Sequence, residues 1–244
     1  MNALADNDFT RALSGLRGVL GEPRGILVIS AHWMTEGTWI THMEQPRTIH
    51  DFFGFPPELS AVRYPAPGSP ALADLVREIV GEPEIQRDDQ MWGLDHGTWS
   101  VLRHIYPAAN VPVLQLSLNL AKPPSYHLAL GQQLRVLRDQ GILIVGSGNV
   151  VHNLRKIRWE ENAPLFDWAV EFDGWVKSKI ESRDWNALAN DFARTEAARL
   201  SVPTAEHYCP LLYVLGAANE DDSLHWVYEG MQNGSISMRS FYFG

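Results

Sequence analysis

Cysteine is almost absent from the chain. Cys209 stands alone, so no intramolecular disulfide can form and no cysteine cluster can hold zinc. A reducing, cytoplasmic home fits such a composition. Basic residues are also scarce: 20 lysines and arginines face 29 aspartates and glutamates, for a formal net charge of −9. That balance argues against a nucleic-acid-binding surface. Apolar runs stop after a few residues, too short to span a membrane. The first residues lack the charged, apolar and small-residue succession of a secretory signal. Repeats, low-complexity tracts and a clean domain boundary are missing too. What is present is globular composition over 244 residues, with 45% hydrophobic side chains. That suffices for one sizeable core, and the length predicts a single domain, 1–244.

Periodicity predicts the elements. Phe9, Leu13, Leu16 and Leu20 share one face of a helix over 8–20, with Asp8 as its cap and Gly21 as its stop. Gly25 to Ile29 is a short apolar run, read as a buried strand that leads into Ser30-Ala31-His32-Trp33. A second strand is expected over 38–42, then a long, proline-rich ordered loop over 44–68. Ser69-Pro70 opens a helix that Gly81 closes. Gly93 to Gly97 forms a loop before a short helix that ends near Pro107. Strands are expected at 111–118 and 142–145, and helices at 125–140 and 164–180. Thr204 is placed as the cap of a helix that includes Glu206, His207, Tyr208 and Leu211 to Leu215, and the last 20 residues read as two strands. Strands alternating with helices predict an α/β fold with a central, mostly parallel or mixed sheet flanked by helices.

Nine histidines are the candidates for chemistry. His32 and His152 follow two of the buried strands, the place where α/β sheets bind ligands. His96 lies in an Asp-His-Gly turn and His207 near a helix start. Imidazole is the commonest metal ligand, so these four suit a mononuclear site. Their wide spacing forms no local metal motif, and on spacing alone hydrogen-bonded or capping histidines are the competing reading. That second reading is given to His42, His50, His104, His127 and His225. Gly146-Ser147-Gly148 lacks the rest of a phosphate-binding pattern, and it is not a nucleophile elbow, because Val145 and Asn149 flank it. Cys209 is read as a small buried helix residue, and the tryptophans at helical spacing as core.

Six strings, in order along the whole chain, resemble one family: Ser30-Ala31-His32-Trp33, Thr48-Ile49-His50-Asp51-Phe52, Tyr64-Pro65-Ala66-Pro67-Gly68, Gly93-Leu94-Asp95-His96-Gly97, Ser147-Gly148-Asn149-Val150-Val151-His152-Asn153-Leu154 and Glu206-His207-Tyr208. The resemblance is to the DOPA 4,5-dioxygenase (extradiol) family, a branch of the class III extradiol ring-cleavage dioxygenases with the LigB-type fold. It implies a non-haem Fe(II) site that Zn(II) can occupy on isolation. It implies that His32 and His207 are metal ligands. His152 resembles a family histidine that sits at the metal, with an acid/base role as its alternative. His96 is similar to a pocket histidine that contacts substrate or oxygen. Members of the family carry a strand ending in Gly-His-Gly-Ser-Pro, with a further ligand histidine, just before the position of Met1-Asn2. The resemblance therefore implies a natural product that begins upstream, and weak metal binding without that segment.

An extradiol enzyme needs a metal with few protein ligands and open positions for a catecholate and O2. A histidine neutral near pH 7 can take the second catechol proton. Phe52, Phe53, Phe55 and Tyr64 are expected to wall the ring pocket and exclude water. The expected partners are a small aromatic substrate and O2, with no nucleic acid and no membrane, in a monomer or small homo-oligomer. Two alternatives are a non-enzymatic, Memo-like protein of the same fold that binds a metal or peptide, and a zinc-dependent hydrolase. The hydrolase needs a carboxylate base beside its metal, and no carboxylate stands out for that role.

Overall fold

Ile26, Leu27, Val28 and Ile29 are fully buried, a pattern that a strand covered on both sheet faces imposes. A computed structural model of the chain describes residues 2–160 and 163–244. The buried run lies in β1 (Gly25–Met34), followed by β2 (Thr38–Thr41), β3 (Ile85–Asp88), β4 (Val113–Leu118) and β5 (Ile142–Ser147). These five form one sheet in the order β3-β2-β4-β1-β5. β1 runs parallel to β4 and β5, β2 runs parallel to β3, and β2 meets β4 antiparallel. The sheet is thus mixed and flanked by helices, as expected.

The helices are α1 (Asp8–Gly15), α2 (Arg17–Leu20), α3 (Pro57–Ser60), α4 (Pro70–Val80), α5 (His96–Ile105), α6 (Pro124–Leu134), α7 (Asp167–Glu181), α8 (Trp185–Asn190), α9 (Glu196–Ser201) and α10 (Cys209–Ala217). The two-residue period of β1 sorts them into layers. Ile26 and Val28 pack with Phe9 and Leu13 of α1 and Trp99 and Leu102 of α5. Leu27 and Ile29 pack with Val76 of α4, Leu130 and Leu134 of α6 and Tyr213 of α10. A third cluster joins Phe172 and Val176 of α7, Leu188 of α8 and Leu212 of α10. The C-terminal strands β6 (Leu224–Tyr228), β7 (Met231–Gln232), β8 (Ile236–Ser237) and β9 (Ser240–Phe243) form two small antiparallel pairs. Among the described residues, no helix is long and apolar enough to cross a membrane.

β5 ends the sheet, and its Leu143, Ile144 and Val145 are only half-buried. They border a cavity of about 1070 Å³ that also touches Leu13 and Leu20 of the N-terminal helices and Phe241 of β9. The same cavity reaches His32, His96, His152 and His207.

Several elements differ from expectation. Asn7, not Asp8, caps α1: its side chain accepts from Thr10 N, and Thr10 Oγ1 accepts from Asn7 N. The helix expected over 125–140 ends at Leu134 and tightens into a 3₁₀ turn through Gln140. α7 starts at Asp167, which leaves Leu165 outside it and 46% exposed. Thr204 caps no helix; its hydroxyl donates to Glu206, and α10 begins only at Cys209. His207 therefore lies in the turn before α10. The proline-rich stretch contains α3, and the two expected C-terminal strands are four short ones.

Candidate active site

β1 delivers His32. Its pairing is regular to Ile29 with β4 and to Ser30 with β5, then the register shifts. His32 thus projects from the strand's irregular end, at the carboxyl edge of the sheet. α5 delivers His96 at its first helical position. The cap is Asp95, which accepts from Thr98 N at 3.0 Å. Asp95 is fully buried. It also accepts from Ser30 Oγ at 2.8 Å and from Gln115 Nε2 at 2.7 Å. A buried carboxylate persists only with such partners, and these three tie together β1, α5 and β4. Gly97 lets the two histidine-bearing segments touch: a Cβ there would fall 2.8 Å from His32 Cδ2.

His152 follows β5 on a loop pinned by its own N–H to Ser201 O and by Asn153 Nδ2 to Leu200 O. The glycines before it have a packing role. A Cβ on Gly146 would lie 2.5 Å from Pro210 O, and one on Gly148 2.3 Å from His207 O. Their absence of side chains brings the end of β5 against the turn that carries His207.

The four histidines meet. Ring centroids are 3.8 Å apart for His32 and His96, 5.1 Å for His32 and His207, and 3.5 Å for His152 and His207. The first two pairs are inclined at 44° and 86°, whereas His152 and His207 stack at 11°. Asp51 joins the group. Its Oδ1 accepts from His96 N, and its Oδ2 lies 2.9 Å from His96 Nδ1 and 3.6 Å from His32 Nδ1. Donor atoms of His32, Asp51 and His96 all lie within 4.8 Å of one another.

Burial favours the neutral form of His32, His152 and His207. It pushes His152 down to about 4 and His207 well below the ordinary histidine value, the latter helped by the neighbouring histidines. His32 is lowered by burial and by His96. Burial works against ionisation of Asp51, but hydrogen bonds and charge from His96 hold its carboxyl below the usual range. Lone pairs and one carboxylate therefore face the pocket, a donor set for a cation. His207 Nδ1 is buried and has no hydrogen-bond partner among the described residues. An orphaned buried nitrogen costs about 1–3 kcal/mol, and a metal ion would satisfy it. The residues fit a metal ion.

Other expectations are met in part. Phe52 and Phe55 line the pocket, and Phe52 meets His96 edge-on at 5.5 Å. Phe53 is 94% exposed, and Tyr64 is core, its hydroxyl donating to Tyr106 O. His50 bonds Val62 O, His104 bonds Asn2 O, His42 pairs with Asp89 and His225 stacks on Tyr242. His127 also stays outside the site, but it is fully buried beside the Tyr213 hydroxyl rather than on the surface. Burial pushes the Cys209 thiol up to about 12, which leaves it inert. Trp159 is 77% exposed, unlike the fully buried Trp99. Asp51 is the carboxylate that sequence reasoning missed. Its only signal was its place in one of the six strings; its partner His96 lies 45 residues away.

The chain matches the LigB family, described as the catalytic LigB subunit of aromatic ring-opening dioxygenase, over residues 8–243. It is 45% identical over 247 residues to the 4,5-DOPA dioxygenase extradiol of Escherichia coli (strain K12), covering 100% of this chain and 91% of that protein. It is 34% identical over 228 residues to the 4,5-DOPA dioxygenase extradiol of Beta vulgaris, covering 91% of this chain and 83% of that one. The crystal structure of the uncharacterized protein JW3007 from Escherichia coli K12 superposes with a TM-score of 0.86 at 40% identity, over 98% of this chain and 93% of that one. Fold, histidine pocket and full-length similarity agree, and the chain belongs to the LigB family of aromatic ring-opening dioxygenases.

Proposed function

We propose that the protein opens the ring of a DOPA-like catechol beside the diol, adding both atoms of O2, at a mononuclear non-haem metal. The observation that carries this reading is the buried Nδ1 of His207, without a hydrogen-bond partner among the described residues, beside three further histidines in a cavity walled by Phe52. The names of the relatives supply the substrate class: proteins 45% and 34% identical to this one are 4,5-DOPA dioxygenases.

His32 and His207 are the proposed ligands. An imidazole binds metal along a lone pair in its own plane, at about 2.0–2.1 Å. The planes of His32 and His207 cross at 86°, so both can contain one ion. His152 stacks nearly parallel to His207 at 3.5 Å, so the two planes cannot both contain it at bonding distance. Of the two roles open to His152, ligand or acid/base, the stack therefore favours acid/base. Bound Fe(II) would supply Lewis acidity toward the catechol oxygens and redox contact with O2, whereas Zn(II) would supply only the former.

The chain's own residues do the rest. Burial favours the neutral form of His152, which leaves a ring nitrogen free to accept a catechol proton and later return it. His96 presents its ring to the substrate side of the pocket. Phe52 and Phe55 cover the aromatic ring and exclude water. The enzyme works in the cytoplasm as a monomer or small homo-oligomer, with the aromatic substrate and O2 as its partners.

Anaerobic reconstitution with Fe(II), then O2 uptake with DOPA and detection of the ring-opened product, tests the reading. His207→Ala should lose most of its metal. His152→Ala and His96→Ala should keep it and lose ~10²–10⁴-fold in turnover. Stoichiometric iron without O2 uptake on any catechol would reject the function. Metal loss in His152→Ala equal to that in His207→Ala would return His152 to the ligand set.

A further inference from the structure

Asp51 grips His96 with both carboxylate oxygens. Oδ1 accepts the backbone N–H at 2.9 Å, and Oδ2 stands 2.9 Å from ring Nδ1. The first bond anchors the proline-rich loop to the N-terminus of α5, where negative charge is favoured. The second decides the ring's proton. An ionised carboxylate can only accept, so its partner Nδ1 must carry the hydrogen. With a single ring proton placed on Nδ1 by that contact, the lone pair sits on Nε2, which makes no hydrogen bond to the described residues and belongs to a side chain lining the pocket. Both side chains are largely shielded, 15% exposed for Asp51 and 17% for His96, so water competes weakly for this contact. Phe52 against one side of His96 and His32 against another limit rotation of the ring. His32 Nδ1 is 3.6 Å from the same carboxylate, beyond hydrogen-bond reach, so His96 is the close partner.

We propose that Asp51 is a positioning residue: its carboxylate holds His96 as the Nδ1–H tautomer and keeps the Nε2 lone pair facing the substrate side of the pocket. The benefit to catalysis rests on the ring-opening function proposed above; the tautomer does not. A different role is open to the same atoms, because His32, His96 and Asp51 together resemble a two-histidine, one-carboxylate ligand set. The two roles predict opposite behaviour of bound metal.

Asp51→Asn separates them. The amide can still accept from the backbone of His96, but its NH2 now donates to Nδ1 and drives the proton to Nε2. The ring nitrogens of His96 are read by ¹⁵N NMR of the zinc-loaded full chain, for the wild type, Asp51→Asn and Asp51→Glu. The wild type should show a protonated Nδ1 and a bare Nε2, Asp51→Asn the reverse, and Asp51→Glu the wild-type pattern. Zinc stoichiometry should be equal in all three. With iron, Asp51→Asn should lose ~10²–10⁴-fold in kcat, with little change in KM, and Asp51→Glu should recover part of it. A wild-type His96 protonated on Nε2, or a tautomer indifferent to Asp51→Asn, overturns the proposal. So does loss of zinc in Asp51→Asn, which would make Asp51 a ligand. The expected tautomers in a protein that opens no catechol would uphold the positioning role and reject only the function.

Discussion

Gly97→Ala adds one methyl group to the second residue of α5 and asks whether backbone packing sets the place of His32. The new Cβ would fall 2.4 Å from Ser30 Oγ and 2.8 Å from His32 Cδ2, where ordinary contact is 3.4–4 Å. Ser30 cannot yield cheaply. Its hydroxyl donates to the fully buried Asp95 carboxylate, and losing a bond to a charged group costs about 1.5–3 kcal/mol. The imidazole of His32 is the softer neighbour and should be pushed from its place. Alanine returns up to ~1 kcal/mol of helix propensity, against an overpacking cost of ~1–3 kcal/mol. The net expectation is destabilisation of about 1–2 kcal/mol. A ligand shifted by its supporting contacts typically weakens metal binding ~10–100-fold. Urea unfolding with and without zinc measures the first, and zinc titration the second. A Gly97→Ala protein as stable as the wild type, with the same zinc affinity, would refute the claim that this close approach positions His32.

Acid should weaken the fold through His127, which burial holds down to about 4, against an ordinary value of 6.5. Below pH 6.5 the unfolded chain gains a proton that the native state refuses until about pH 4, so stability is complete above that window and falls as pH drops through it. The effect is on the order of 3 kcal/mol, and His127→Phe should flatten unfolding free energy against pH between 6.5 and 4; an unchanged slope would contradict it. In β5, which among the described residues pairs only with β1, amide exchange should alternate between slow and fast along 142–147, because alternate residues of a parallel strand bond to opposite sides. β1, paired on both sides, should be protected more evenly, and uniform strong protection of β5 would count against the topology.

Much of the scaffold was legible in local chemistry. The serine cap and proline at 69–70, the glycine stop at 81 and the apolar runs of β1, β4 and β5 act within a few residues of themselves, and the structure keeps them. The histidines after β1 and β5 were legible for a related reason: strand ends in an α/β sheet are where ligands gather. β3 was not legible. Its Gln86 and Arg87 are exposed, and only pairing with β2 makes it a strand. Nor could local pattern place Tyr64 in the core and Phe52 in the pocket, since both are aromatics of one loop.

The sequence by itself determined a single-family α/β chain with too little cysteine for a thiolate site and a surplus of histidine. Those properties reside in residue identity and short-range spacing, which do not depend on how the chain closes. Tertiary structure alone decided that His152 stacks on His207 while His32 crosses it, and that Asp51 bonds His96 across 45 residues. Such contacts join segments brought together only when Gly97, Gly146 and Gly148 let their backbones approach. They are set by the packing of several layers at once, so no window of the sequence contains them.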